Sequence, residues 1–319
     1  MTTLTLENNT RHLYQDSAVY ASCHACAYLF WPTVALYVMD GSNANMKVTS
    51  FYLLAGAAMV YIIGLLDDVI EVSAKQKFWV QIFSACWLII ARLHFNNLYG
   101  LFGIWEIPYY VGMALTVIFV VAVDNAMNLI DGIDGLCSSL AIITLAGFGV
   151  MFASVGMWVY CVMIAGLMGV LVAYFYFNMF GQRRKIFMGD SGSLTIGFML
   201  AVFCVKLSMN LPTRMPYDAG RMLIAVSFLM VPCMDVLRVM AVRKKAGKNF
   251  FTPDRNHIHH RLMDVGFTMY QTLGIIVLLD IAIVGLTALL TWVGVQPTII
   301  LAADMAVFTL FFYGLKRKK

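Results

Sequence analysis

Asn125-Ala126-Met127-Asn128-Leu129-Ile130-Asp131-Gly132-Ile133-Asp134-Gly135, with Asp124 before it, sets three carboxylates and two carboxamides at the end of an otherwise apolar run. A charged carboxylate at mid-membrane costs roughly 2.5–3.5 kcal/mol on insertion scales. In a chain this apolar, such a cluster belongs at a membrane surface and is there for chemistry. Asn125, Asn128, Asp131 and Asp134 recur at about helical spacing, so several can share one face. Gly132 and Gly135 let backbone approach a ligand closely. Capping of the next helix explains one such residue, not four.

The rest of the chain reads as membrane protein. Of 319 residues, 61% are hydrophobic and 12% charged, and the mean hydropathy is +0.80; soluble domains carry roughly 25% charged residues. Apolar runs close to the roughly 20 residues that cross a bilayer recur along the chain. About ten helices are expected, near 20–38, 50–66, 78–94, 108–127, 136–155, 157–178, 193–209, 221–242, 271–292 and 297–315. The fold class is therefore an all-α polytopic integral membrane protein. No repeat or linker divides residues 1–319, so one transmembrane domain is expected, with 1–19 and a basic 316–319 tail in the cytoplasm. The first 20 residues are polar and mixed, unlike a cleavable signal peptide. The pair Cys23 and Cys26 stands alone in an apolar segment and reads as buried small hydrophobes rather than a metal or redox motif.

The net charge of +5 is no nucleic-acid signal, because the basic residues fall between apolar runs. They mark orientation instead: Arg183-Arg184-Lys185, Arg243-Lys244-Lys245 with Lys248, and Lys316-Arg317-Lys318-Lys319. With the tail inside, counting back through ten helices puts 243–270, 179–192, 128–135 and 67–77 on the cytoplasmic side. Every polar cluster of interest then shares one face.

Four clusters gather there. Asp67-Asp68 closes the second helix, with Lys75, Lys77 and Gln81 following; adjacent carboxylates that stay ionised call for a cation or proton beside them, and hard oxygens suit Mg²⁺. The stretch ending at Gly135 is the second. The third runs from Asn178 through the basic triplet to Phe187-Met188-Gly189-Asp190-Ser191-Gly192-Ser193, where exposed amides at a helix start favour an anion and Asp190 offers a metal ligand. The Walker lysine spacing is absent. The fourth is Pro253-Asp254-Arg255-Asn256-His257-Ile258-His259-His260-Arg261, whose histidines and arginines suit an anionic substrate. Asp235, inside the eighth helix, should face the protein interior, while Asp280 and Asp304 lie in the last two helices without polar company.

In order and type, these motifs resemble the polyprenyl-phosphate N-acetylhexosamine-1-phosphate transferase family, glycosyltransferase family 4, over roughly residues 60–268. Asp67-Asp68 with Lys75 matches the family's first aspartate pair and downstream lysine. The stretch 125–136 is similar to its central signature, 187–193 to its metal-binding turn, and 253–260 to the histidine loop of its N-acetylglucosamine enzymes rather than the three consecutive histidines of the muramoyl-pentapeptide enzymes. The chain departs from the family at the front. A first helix and a Gly-Gly loop are missing from the pattern, with Arg11–Asp16 as a remnant of that loop.

The resemblance implies transfer of N-acetylhexosamine-1-phosphate, with GlcNAc-1-phosphate preferred, from a UDP-sugar to undecaprenyl phosphate at the cytoplasmic face of a bacterial inner membrane, as a first step of envelope-glycan synthesis. Mg²⁺, with Mn²⁺ as an alternative, would be held by Asp190 and Asp131. Asp67, Asp68, Asp131 and Asp134 are the expected catalytic carboxylates, and whether Asp131 or Asp134 attacks or only orients is left open. Lys75, Asn125, Asn128, Asn178, Arg255, His257, His259 and His260 are expected to bind substrate. A homodimer is left open. The competing readings are a cation- or proton-coupled transporter, with Asp67, Asp131 and Asp235 as a relay, and a catalytically impaired relative acting as a scaffold.

Overall fold

The structure, a computed structural model, describes residues 44–181, 185–211, 215, 218–247 and 256–315. The expected helix at 20–38, the Cys23 and Cys26 pair, Arg255 and the basic tail lie outside these residues. Helices α1 (Ala44–Ile70) and α2 (Ala74–Ile90) lead to a hairpin, β1 (Asn97–Leu101) and β2 (Ile104–Glu106). Four long helices follow: α3 (Tyr109–Ile130), α4 (Leu136–Ser154), α5 (Trp158–Phe180) and α6 (Gly189–Ser208). Then come α7 (Ala219–Ser227), α8 (Met230–Lys245), the short α9 (Ile258–Val265), α10 (Met269–Val293) and α11 (Pro297–Gly314).

Seven of the described helices are long and apolar enough to cross a membrane, or eight if α7 and α8 form one broken span. The chain is a multi-pass membrane protein of the all-α class, with one short hairpin among the described residues. Ten spans are not reached among the described residues: the expected first span, 20–38, lies outside them, and α2 has only 17 residues and opens on Lys75 and Lys77. The α7–α8 pair bends by 63°. Pro232, in the first turn of α8, has no amide to offer the Phe228 carbonyl, and that carbonyl accepts instead from Thr144 Oγ1 at 3.4 Å.

Helix α6 is the hub. Its residues from Ser191 through Val205 are all buried, as expected of a helix apolar on every side. Small residues let its neighbours close in. A Cβ on Gly64 of α1 would lie 2.5 Å from Ser191 Cα, and one on Gly197 of α6 would lie 2.8 Å from Asp124 Cα of α3. Helices α1 and α3 therefore meet α6 almost backbone to backbone.

The two ends of the bundle differ. At one end, the Asn96 side chain donates to the Asn210 carbonyl and accepts from the Asn210 amide, both at 2.8 Å, and the hairpin is tied to α11 by Phe102 N donating to Thr298 Oγ1. The hairpin falls between the helices expected near 78–94 and 108–127, where no strand was expected; positive φ at Tyr99, Gly100, Phe102 and Gly103 turns the chain there. At the other end the turns after α1, α3, α5 and α8 converge, carrying the polar motifs.

Candidate active site

Helix α6 has no side-chain cap of its own. Its first amides are satisfied from α1: Asp190 N donates to Asp68 Oδ1 at 2.8 Å and Ser191 N to Asp68 Oδ2 at 3.1 Å. Both oxygens of Asp68 thus hold the helix start that presents Asp190. Asp67 accepts from Val72 N through Oδ1 and pairs with Lys77 Nζ through Oδ2 at 3.0 Å. The same ammonium reaches Asp190 Oδ2 at 2.7 Å. Asn128 completes the group, donating to Asp190 Oδ1 at 2.9 Å and Ser193 Oγ at 3.0 Å. The result is a carboxylate pair bridged by one cation at the meeting of α1, α2, α3 and α6.

Asp131 follows directly at the C-terminus of α3. Burial pushes its carboxyl up to about 7, reinforced by the negative charges of Asp190, Asp134 and Asp68. No hydrogen bond to its side chain is found among the described residues, so its ionised form has no protein partner in this corner. Asp134 is better provided: Lys185 Nζ pairs with its Oδ2. Asn178 is buried and works as a tie, accepting from Gly135 N at 2.7 Å and donating to the Ile186 carbonyl at 2.8 Å. It fastens the 131–135 turn to the segment leading into α6.

The histidine loop closes over this corner. His257 Nδ1 lies 2.8 Å from Asp235 Oδ2. An ionised carboxylate only accepts, so Nδ1 carries the proton and Nε2 is the nitrogen left for a ligand. Asp235 Oδ1 takes the Ile258 amide at 3.1 Å and Arg238 Nη2 at 2.7 Å. A carboxylate from another helix therefore caps α9, the same device by which Asp68 caps α6. His259 is 1% exposed, and neither ring nitrogen has a partner. Burial lowers its pKa to about 4, helped by repulsion from His260 and His257. Its ring rests on the central turn: a Cβ on Gly132 would lie 2.2 Å from His259 Nε2.

Residues 50–208 match a family profile described as glycosyl transferase family 4. The undecaprenyl-phosphate alpha-N-acetylglucosaminyl 1-phosphate transferase of Yersinia pestis is 31% identical over 287 residues, covering 86% of this chain and 75% of the relative. The chain belongs to glycosyl transferase family 4. The enzyme of the same name from Escherichia coli K12 is 30% identical over 275 residues, covering 84% of this chain and 73% of the relative. A probable undecaprenyl-phosphate N-acetylglucosaminyl 1-phosphate transferase of Bacillus subtilis is 30% identical over 257 residues, covering 79% and 68%.

Within this family member the expected site residues separate. Asp67, Asp190 and Asn128 meet around one ammonium, with Asp68 behind them holding the helix. That ammonium is Lys77; Lys75, expected to bind substrate, is exposed on the first turn of α2. Two residues along a helix are about 200° apart, so the two lysines cannot serve the same face. Gln81, one turn beyond Lys77, is buried and accepts from Asn125 Nδ2 at 2.9 Å, which was the available sign of the inward face. Asn125, whose Nδ2 also donates to the Val121 carbonyl, joins α3 to α2 and is engaged in packing. Asn178 likewise ties two segments of backbone. Asp124 is fully buried against α6 and adds no oxygen to the cluster. Asp304 accepts from Thr287 Oγ1 at 2.7 Å, joining α11 to α10. Ser193 and Arg238 had not been singled out as site residues from sequence.

Proposed function

We propose that this chain transfers GlcNAc-1-phosphate from UDP-GlcNAc to undecaprenyl phosphate and releases UMP. The observation that carries the reading is the Asp67–Lys77–Asp190–Asn128 group facing Asp131 under the histidine loop, in a chain whose relatives are named for this reaction. An oxygen of the lipid phosphate attacks the sugar-bearing phosphorus of the donor. The P–O bond to UMP breaks and UMP leaves with the electron pair. One phosphoanhydride is lost and one is formed, so the exchange is near isoenergetic and needs no ATP. A phosphate monoester with second pKa near 6 is already mostly ionised at neutral pH, so a general base adds little. Asp68, with both oxygens on amides, is in any case committed to the fold.

The difficulty is bringing two anions together, and the chain meets it with positive charge and dipoles. Lys77, with one N–H left beyond Asp67 and Asp190, is placed to bind a phosphate oxygen, and so is Nε2 of His257 when its ring carries both protons. Asn128, with both N–H groups on Asp190 and Ser193, orients Asp190. No three His, Cys, Asp or Glu side chains among the described residues form a closed metal cage. Mg²⁺, however, usually takes one or two carboxylates and completes its shell with water and substrate phosphates. Asp190 and Asp131 fit that pattern and would hold it. When bound, it would neutralise the diphosphate and the departing UMP. Its binding would also draw Asp131 fully into the ionised form.

We place the site at the cytoplasmic face of a bacterial inner membrane. Lys185 and Arg243-Lys244-Lys245 lie at the site's end of the bundle, as the positive-inside rule requires, and UDP-sugars are made in the cytoplasm. A transporter is not favoured, because the interacting charges gather at one end of the bundle rather than along its depth.

Membranes carrying the full chain, incubated with radiolabelled UDP-GlcNAc, undecaprenyl phosphate and Mg²⁺, should yield a lipid-linked, mild-acid-labile product and one UMP per transfer. A parallel reaction with UDP-GalNAc tests the sugar. Absence of any lipid product from well-folded protein with either donor rules the reading out.

A further inference from the structure

The last turn of α11 contains Phe312. Two guanidinium groups lie over its ring: Arg238 of α8, with Cζ 3.9 Å from the centroid, and Arg261 of α9, at 5.2 Å. Arg238 donates through Nη2 at 2.7 Å and Nε at 3.3 Å to Asp235 Oδ1, and through Nη2 to the Asn256 carbonyl. Asp235 in turn orients His257. The carboxylate is almost wholly buried, at 2% side-chain exposure, and Arg238 is its counter-charge at 14%.

A guanidinium satisfies its edge with hydrogen bonds but leaves two flat faces, and an aromatic ring is the partner that covers a face without competing for the donors. Leucine in the same place supplies volume but no negative ring face. The ring also bridges elements, because Arg238 lies on the helix that carries Asp235 and Arg261 on the helix that carries His259 and His260. Phe312 thus links α11 to both α8 and α9.

We propose that Phe312 is a positioning residue for His257, acting through Arg238 and Asp235, so that the C-terminal helix sets the aim of the imidazole at the donor's phosphates. The proposal rests on the transferase reading given above. Without the ring, Arg238 can swing off Asp235, and a misplacement of about 1 Å at His257 is enough to cost up to about 100-fold in rate.

The test uses the full chain in membranes, with initial rates over both substrates for Phe312→Leu, Phe312→Tyr and, as control, Tyr313→Ala, whose side chain is exposed on the neighbouring position. Phe312→Leu should lower kcat about 10- to 100-fold while the KM for UDP-GlcNAc moves less than about threefold. Phe312→Tyr should stay within about threefold of the parent, and Tyr313→Ala should match it. Normal turnover in Phe312→Leu overturns the proposal, as does equal loss in the leucine and tyrosine variants. An inactive parent chain instead counts against the transferase reading. In that event, ¹³C-histidine spectra decide the inference without turnover: a His257 signal unmoved by Phe312→Leu refutes it, and a shifted His257 titration supports it.

Discussion

The Lys77 ammonium lies 2.7 Å from Asp190 Oδ2, joining side chains 113 residues apart in sequence. It also reaches Asp67 at 3.0 Å, so one cation holds the ends of α1, α2 and α6 together where phosphate is expected to bind. Replacing Lys77 by Met should cut turnover by about 100-fold or more, the scale of losing one pre-placed electrostatic donor. Lys75→Met, on the exposed face of the same turn, should stay within about twofold. Steady-state UMP release distinguishes them, and comparable losses in both variants would contradict the geometry.

Asp190→Asn should abolish activity and the response to Mg²⁺ together, because it removes one of the two carboxylates proposed to hold the cation. The amide also leaves Lys77 with Asp67 as its remaining carboxylate partner. The measurement is UMP release across a Mg²⁺ titration. A variant that keeps near-normal rates with an unchanged Mg²⁺ midpoint would sink the metal assignment.

Gly132 is needed for the space that its missing side chain leaves. A Cβ there would meet His259 Nε2 at 2.2 Å, so Gly132→Ala must push the histidine loop away from Asp131. Overpacking of this kind costs about 1–3 kcal/mol, and turnover should fall by about 10-fold or more. Pairing Gly132→Ala with His259→Ala, which vacates the contact, should recover folding stability relative to Gly132→Ala alone. Strictly additive melting shifts for the pair would speak against direct contact.

His259 makes the fold sensitive to acid. Its pKa is lowered to about 4 in place, against about 6.5 for an unperturbed histidine. The unfolded chain therefore binds more protons between those values, so this contribution is complete above about pH 6.5 and is lost as pH falls towards about 4. At the low end the loss amounts to roughly 3 kcal/mol. In detergent, the melting temperature should drop from pH 7.5 to pH 5.5, and His259→Gln should flatten that dependence. An identical slope in the variant would assign the effect to other groups.

What the sequence determined by itself was the solvent and the chemistry. Apolar runs of bilayer length can fold only as helices, because no water is present to satisfy their backbone. Carboxylates, histidines and lysines are too costly to leave scattered among lipid, so Asp67, Asp68, Asp131, Asp190 and His257 had to collect at helix ends. The basic loops, through Lys185 and Arg243, gave those ends a common side. Which side chain does which task was decided elsewhere. Asp68 became a cap because Gly64 lets α1 close to 2.5 Å on Ser191, and Lys77 rather than Lys75 met Asp190 because of the rotational phase of α2 about its axis. Asn125 and Asn178 were consumed by packing for the same reason: amide groups among converging backbones bond whatever donor or acceptor lies within 3 Å. Hydropathy and residue type are local properties and can be read along the chain. Helix rotation and interhelical distance come from the fit of buried surfaces contributed by distant segments, and only the folded chain fixes them.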